Sequence, residues 1–184
     1  MTELDIHIFR LVYGHLSGDW LVPMAVLSAI GGGWGALLVV PLFVSMRTRR
    51  FAGSLAAVLA ITALLVFVLK RIVARARPCV RLADVKALVF GAPSDFSFPS
   101  GHSAGSFAFA VFVAVVLVKR TPENATAREA LLRRLGAATL VLAAAGVGIS
   151  RIVLGVHFPG DVLAGAALGT AIGSLGARVH LASA

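Results

Sequence analysis

FAGSLAAVLAITALLVFVL, from Phe51 to Leu69, runs nineteen residues without a charge. A soluble core rarely needs so long an apolar run, whereas a bilayer needs about 20 residues to be crossed by a helix. Lys70 and Arg71 close the run and Arg47, Arg49 and Arg50 precede it. Basic residues at both ends of an apolar stretch are the flanks of a membrane span.

The rest of the chain follows the same pattern. Its 184 residues fit one domain. They are 59% hydrophobic and only 14% charged, with mean hydropathy +0.94; soluble domains run nearer half apolar and a quarter charged. That balance excludes an ordinary cytosolic enzyme, a disordered chain, a collagen and a coiled coil. The net charge of +9 does not point to nucleic acid, because the cations sit at the ends of apolar runs. Cys79 is the single cysteine, so neither an intrachain disulfide nor a thiolate cluster is expected. The opening MTELDIHIFR lacks the basic start and apolar stretch of a cleavable signal.

The expected fold is therefore all-α, a polytopic membrane helix bundle forming one domain over residues 1–184. Five spans are read: Leu21–Met46, Phe51–Leu69, His102–Val118, Leu135–Ser150 and Gly160–Ala177. The last three are short, and Lys119, Arg133 and Arg134 can snorkel to the headgroups. Pro41 and the Gly31-Gly32-Gly33-Trp34-Gly35 cluster should bend the first span. Residues 3–17 carry a polar stripe of Glu3, His7, Arg10, Gly14 and Ser17, with Leu4, Ile8, Leu11 and Val12 elsewhere on the wheel. This reads as an amphipathic helix lying in the interface; packing against the bundle is the other arrangement open to it.

Alternating spans bring four polar clusters to one membrane face. Lys70 closes the second span and is followed by Arg77-Pro78; Pro99-Ser100-Gly101-His102 opens the third; Ser150-Arg151 closes the fourth; His157 and Asp161 flank the start of the fifth. Lys70, Arg77 and Arg151 together are costly near hydrocarbon unless an anion joins them. Asp95 and Asp161 are the only two acids close in sequence that could face them, so a dianionic ligand is expected. An Arg fork and a Lys point charge suit phosphate oxygens, and the unpaired N–H groups of Gly101 and His102 at a helix N-terminus add an anion site. Of the two histidines, one can attack phosphorus and the other can move a proton. Asp161, four residues after His157, can accept from one ring nitrogen and leave the other free. With no thiolate and few carboxylates, no metal or cofactor is expected.

The positive-inside rule sets the orientation. Arg47, Arg49, Arg50, the Lys119–Arg134 group and Arg178 face one way, and Arg10, Lys70, Arg71, Arg75, Arg77, Arg81, Lys86 and Arg151 the other. Once Lys70, Arg77 and Arg151 are assigned to chemistry, the Arg47–Arg50 side is the more basic and cytoplasmic. The 70–101 loop then faces outward. Arg71, Arg75, Arg81 and Lys86 read as anchors or headgroup contacts. His7, His15 and His180 lack matching partners and read as interfacial or exposed. Gly165, Gly169 and Gly173 form a stripe suited to packing inside the bundle.

Three signatures now stand together. Lys70 to Pro78 resembles K-x6-R-P, Pro99 to His102 resembles P-S-G-H, and Ser150 to Asp161 resembles S-R-x5-H-x3-D. These are the signatures of the type 2 phosphatidic acid phosphatase superfamily, and the resemblance covers about Phe51 to Ala177. The superfamily also holds soluble acid phosphatases and vanadium haloperoxidases, but the apolar runs resemble its integral-membrane lipid phosphatases. The resemblance implies that Lys70, Arg77, Ser100, Gly101 and Arg151 bind the phosphoryl oxygens. It implies that His157 is the nucleophile forming a phosphohistidine, that Asp161 orients it, and that His102 protonates the leaving group and then activates water. No metal is required by that mechanism. Membrane members usually have six spans; this chain shows five and the interfacial helix.

The implied substrate is a lipid phosphate or diphosphate, with undecaprenyl or another polyprenyl diphosphate favoured. Phosphatidylglycerophosphate, phosphatidic acid and a polyprenyl phosphoribose phosphate are the alternatives. The implied location is a bacterial inner membrane with the site outside, with membrane lipids and no nucleic acid as partners. A lipid-phosphate transporter or scaffold is the reading from another class.

Overall fold

A computed structural model describes residues 3–16, 18–32, 42–89 and 91–183. Among them are seven α-helices: α1 Glu3–Leu16, α2 Leu21–Ile30, α3 Met46–Val73, α4 Pro78–Arg81, α5 Gly101–Lys119, α6 Ala127–Val153 and α7 Pro159–Ala182. Four of these, α3, α5, α6 and α7, are long and apolar enough to cross a membrane. The chain is an all-helical integral-membrane bundle.

The helices outrun the apolar runs that announced them. α6 begins at Ala127, ahead of the expected Leu135. Thr126 and Glu129 form a reciprocal capping box there, with Thr126 N donating to Glu129 at 2.8 Å and Glu129 N donating to Thr126 Oγ1 at 3.2 Å. Its first two turns carry Arg128, Arg133 and Arg134, so the helix exceeds its hydrophobic part. The span expected over Leu21–Met46 is not one helix. α2 ends after ten residues at Gly31, which gives about 15 Å, too short to cross. Residues 33–41, with Gly33, Trp34, Gly35 and Pro41, lie outside the described residues.

α5 is the central helix and packs on α7, α6 and α3. The α5–α7 seam depends on Gly165, Gly169 and Gly173, as the sequence suggested. A Cβ at each would run into the α5 backbone at Ser100, Ala104 or Ala108. Far from the site, Ala52, Leu55, Val58, Ala108, Phe112, Val116 and Ala177 make the main core. Leu64, Leu142, Leu163 and Leu175 stay exposed, as lipid-facing side chains do in a bundle whose solvent is hydrocarbon. His180 departs from its expected place. It is buried beside Phe51 and Phe112, with Ser54 Oγ 2.9 Å from Nδ1 and Arg120 3.1 Å from Nε2. It continues the Gly173–Ala177 face of α7, which is why it turns inward.

A second core lies at the site end, where Phe9, Val85, Ile152, Phe158 and Val162 meet. Through Phe9, α1 docks on this cluster while Leu4, Ile8 and Leu11 remain exposed. His7 and His15 are exposed on α1, and Arg10 pairs with Asp84 at 3.2 Å.

Candidate active site

Two chain reversals place the functional side chains. At the end of α3, Ala74 takes φ 48° and its N–H bonds Lys70 O at 2.9 Å. This left-handed residue stops the helix and sends Arg75 and Arg77 back toward the bundle. At the end of α6, Gly155 takes φ +75°, and a Cβ there would meet Lys86 O at 2.5 Å; only glycine fits both the conformation and the approach. The turn folds His157 over Arg151, whose carbonyl accepts from the N–H groups of Val156 and His157 at 3.2 Å. Ser100, fully buried, caps α5 by accepting from Ser103 N at 3.4 Å, and its own N–H donates to Asp161 O at 3.0 Å. The first turn of α5 is thereby held against α7, with Gly101 and His102 leading it.

Of the expected residues, Arg77 and His157 are in direct contact. Arg77 NH1 lies 3.0 Å from His157 Nε2 and donates to Val156 O at 2.8 Å. Arginine can only donate, so Nε2 of His157 carries the lone pair and Nδ1 the proton. That is the tautomer a nucleophile at Nε2 requires. Burial pushes the His157 pKa down to about 3, and the Arg77 charge works in the same direction against the raising influence of Asp161. A ring that accepts from Arg77 at Nε2 is the neutral form, in the same direction as the lowered pKa. Arg151 is buried and donates to Ser28 Oγ of α2, and its Nε has no hydrogen-bond partner among the described residues.

Asp161 is further from His157 than the sequence reading implied. Its Oδ2 is 3.7 Å from His157 Nδ1, beyond hydrogen-bond range. Ser97 lies between them, donating to Asp161 Oδ2 at 2.5 Å and standing 3.4 Å from His157 Nδ1. Asp161 Oδ2 also accepts from Phe158 N at 2.9 Å.

Arg75 corrects the anchor assignment. It donates to Asp161 Oδ1 at 2.7 Å, pairs with Asp5 of α1 and lies 4.4 Å over the Phe158 ring. Asp5 in turn accepts from Gly160 N at 2.8 Å. Arg75 turns inward because Ala74 ends the helix and the buried Asp161 and half-buried Asp5 carboxylates await it. Arg71 stays outside, over Phe67, and Arg81 and Lys86 are exposed. Ser28, Ser97, Arg75 and Asp5 are the site-end residues that sequence reading did not single out.

Asp95 completes the cluster. Its Oδ2 is 2.9 Å from Lys70 Nζ and its Oδ1 2.6 Å from Arg77. Partial burial raises the Asp95 pKa, and the hydrogen bonds from Lys70 and Arg77 more than reverse this, to about 2. Two cavities flank the first turn of α5. One of about 390 Å³ is mainly apolar and runs from Gly101 and His102 past Phe109 to Leu140 and Val147. The other, about 320 Å³, holds Lys70 and Asp95 at one end. Among the described residues, no three of His, Cys, Asp and Glu gather closely enough to hold a metal ion.

The PAP2 superfamily profile matches residues 51–183. The chain belongs to the PAP2 superfamily. Phosphatidylglycerophosphatase B of Bacillus subtilis is 39% identical over 102 residues, 55% of this chain and 44% of that protein. The match thus spans under half the length of that relative. Decaprenylphosphoryl-5-phosphoribose phosphatase of Mycobacterium tuberculosis is 32% identical over 148 residues, covering 78% of this chain and 69% of the other. The crystal structure of a transmembrane PAP2-type phosphatidylglycerolphosphate phosphatase from Bacillus subtilis superposes with a TM-score of 0.79 at 28% identity, over 98% of this chain and 85% of that one. These PAP2 relatives carry phosphatase names, and the superposition extends over nearly the whole bundle described above.

Proposed function

We propose that this PAP2 protein is a lipid phosphatase that removes a terminal phosphate through a phosphohistidine on His157. The observation that carries the reading is the pairing of a neutral, lone-pair-presenting His157 Nε2 with the Arg77 fork, next to an apolar cavity that begins at His102. Lys70, Arg77, Arg151 and the Ser100–Gly101 turn bind the phosphoryl oxygens. As the phosphoryl oxygens take over the Arg77 N–H groups, the Nε2 lone pair of His157 is released and attacks phosphorus, the P–O bond to the leaving group breaks, and its electron pair takes a proton from protonated His102. His102 then removes a proton from water, which attacks phosphorus and releases His157. The cavity beside His102 receives the first part of the departing lipid.

The favoured substrate is a polyprenyl diphosphate such as undecaprenyl diphosphate, converted to its monophosphate. The decaprenyl-linked substrate in the name of the mycobacterial relative supports a polyprenyl chain. The Bacillus relative supports phosphatidylglycerophosphate as the second reading. Phosphate release by purified protein in detergent micelles, across polyprenyl diphosphate, phosphatidylglycerophosphate, phosphatidic acid and polyprenyl phosphoribose phosphate, separates them. Binding of every lipid without turnover would favour a transporter or scaffold instead.

Lys70, Arg77 and Arg151 supply the positive charge, so excess EDTA should leave the rate nearly unchanged and orthovanadate should compete with substrate. Loss of activity on chelation, restored by Mg²⁺ or Mn²⁺, contradicts this.

In a bacterial inner membrane the site would face outward. In a Cys79→Ala background, a cysteine at the exposed Arg49 should resist an impermeant thiol reagent in intact cells, and one at the exposed Ala92 should react. The reverse pattern places the site in the cytoplasm.

A further inference from the structure

Asp95 covers the two cations that the phosphatase reading assigns to the phosphoryl group. Its carboxylate spans them, Oδ1 to Arg77 at 2.6 Å and Oδ2 to Lys70 at 2.9 Å, as two oxygens of one phosphate would. Its carbonyl also accepts from Arg77 Nε at 2.9 Å. With Val156 O and His157 on NH1, every nitrogen of the Arg77 fork is engaged. The order of exposure matters as well. The Asp95 side chain is 55% exposed, while Lys70 and Arg77 are 11% and 4% exposed behind it. An anion arriving from outside therefore meets Asp95 before either cation. Asp95 lies in the irregular stretch between α4 and α5, where exposed Gly91 takes φ 72°.

We infer that Asp95 is a specificity-determining residue, a resident carboxylate that a terminal phosphate displaces and a phosphodiester does not. The inference rests on the reading that Lys70 and Arg77 bind the phosphoryl oxygens. Its logic is one of exchange. Asp95 carries one negative charge and is tethered, so its effective concentration at the cations is of millimolar order or higher. A phosphomonoester carries about −1.5 to −2 at pH 7, and the exchange strengthens the charge-assisted bonds to Lys70 and Arg77. A phosphodiester carries one charge, gains nothing over the carboxylate, and loses to the tether. In a bilayer the diester headgroups are the surrounding medium, and without such a filter they would occupy the cations continuously.

The test uses the full chain in mixed micelles, as wild type, Asp95→Asn and Asp95→Ala. Three quantities are measured: KM for short-chain phosphatidic acid, the inhibition constant of phosphatidylglycerol as the diester, and orthovanadate binding by calorimetry. Both variants should bind phosphatidic acid and orthovanadate more tightly, and phosphatidylglycerol should become an inhibitor about 10-fold stronger than with wild type. Weaker orthovanadate binding in both variants, or unchanged inhibition by phosphatidylglycerol, overturns the inference and leaves Asp95 as an organiser of Lys70 and Arg77. Orthovanadate binding needs no turnover. If wild type hydrolyses no lipid, the phosphatase reading fails, and the binding comparison still decides the role of Asp95.

Discussion

Purified His157→Ala protein is expected to lose more than ~10⁴ of its turnover, beyond what loss of acid–base help alone would cost. The reason is chemical. In this site the group that presents a lone pair beside the Arg77 fork is Nε2 of His157, held there by the Arg77 N–H at 3.0 Å. Burial keeps the ring neutral, with its pKa down near 3, so that lone pair is not lost to a proton at working pH. Lys70, Arg77 and Arg151 survive the substitution, and substrate binding should change little. A loss confined to kcat with KM near wild type is the expected split. His102→Ala should also lose several orders of magnitude with a lipid leaving group. Robust turnover by the His157 variant would remove the covalent mechanism.

Asp161→Asn is the second large effect, a fall in turnover of ~10²–10³. The corresponding charge removal in a Ser-His-Asp triad costs ~10⁴. A smaller loss is expected here because Ser97 stands between Asp161 and His157, and the histidine need not take a proton from a serine. The substitution also destabilises. Both oxygens of Asp161 accept, Oδ1 from Arg75 and Oδ2 from Ser97 and Phe158 N. Arg75 and the Phe158 N–H cannot become acceptors, so an amide NH₂ faces a donor whichever way it turns. A buried donor left unsatisfied costs about 1–3 kcal/mol. If Asp161 served only the N-terminus of α7, the loss would be about 0.3–1 kcal/mol with a normal rate. Rate and thermal midpoint in the same detergent distinguish the two.

The helices were readable where apolar runs and capping signals agreed. α5 came out within a residue at either end, because Ser100 caps it and the run fills it. α6 did not, because its first turns are basic and carry no hydrophobic signal. The Thr126-x-x-Glu129 box was the available sign of its start. The three signatures pointed to His102, His157, Asp161 and the cations Lys70, Arg77 and Arg151, because the resemblance ties each of them to a fixed place in a motif. Arg75 sits inside the variable part of the first signature. A cation at a span end usually reaches for headgroups, and only the Ala74 reversal turns this one toward Asp161. Ser97 and Ser28 had no sequence signal, since a serine in a loop or an apolar helix is ordinary until a charged partner arrives from another element. His180 could have been read from its place on the Gly165–Gly169–Gly173–Ala177 face.

A phosphorylated His157 should be trapped by rapid quenching of the His102→Ala protein. With ³²P-labelled p-nitrophenyl phosphate the leaving group needs no proton, so formation of the intermediate proceeds while its hydrolysis, deprived of His102, is slow. The expected result is label on the protein that is stable to base, lost in acid, mapped to His157 and missing from the His157→Ala, His102→Ala double variant. Release of p-nitrophenol with no protein-bound label at any quench time, or label that persists in the double variant, would contradict it.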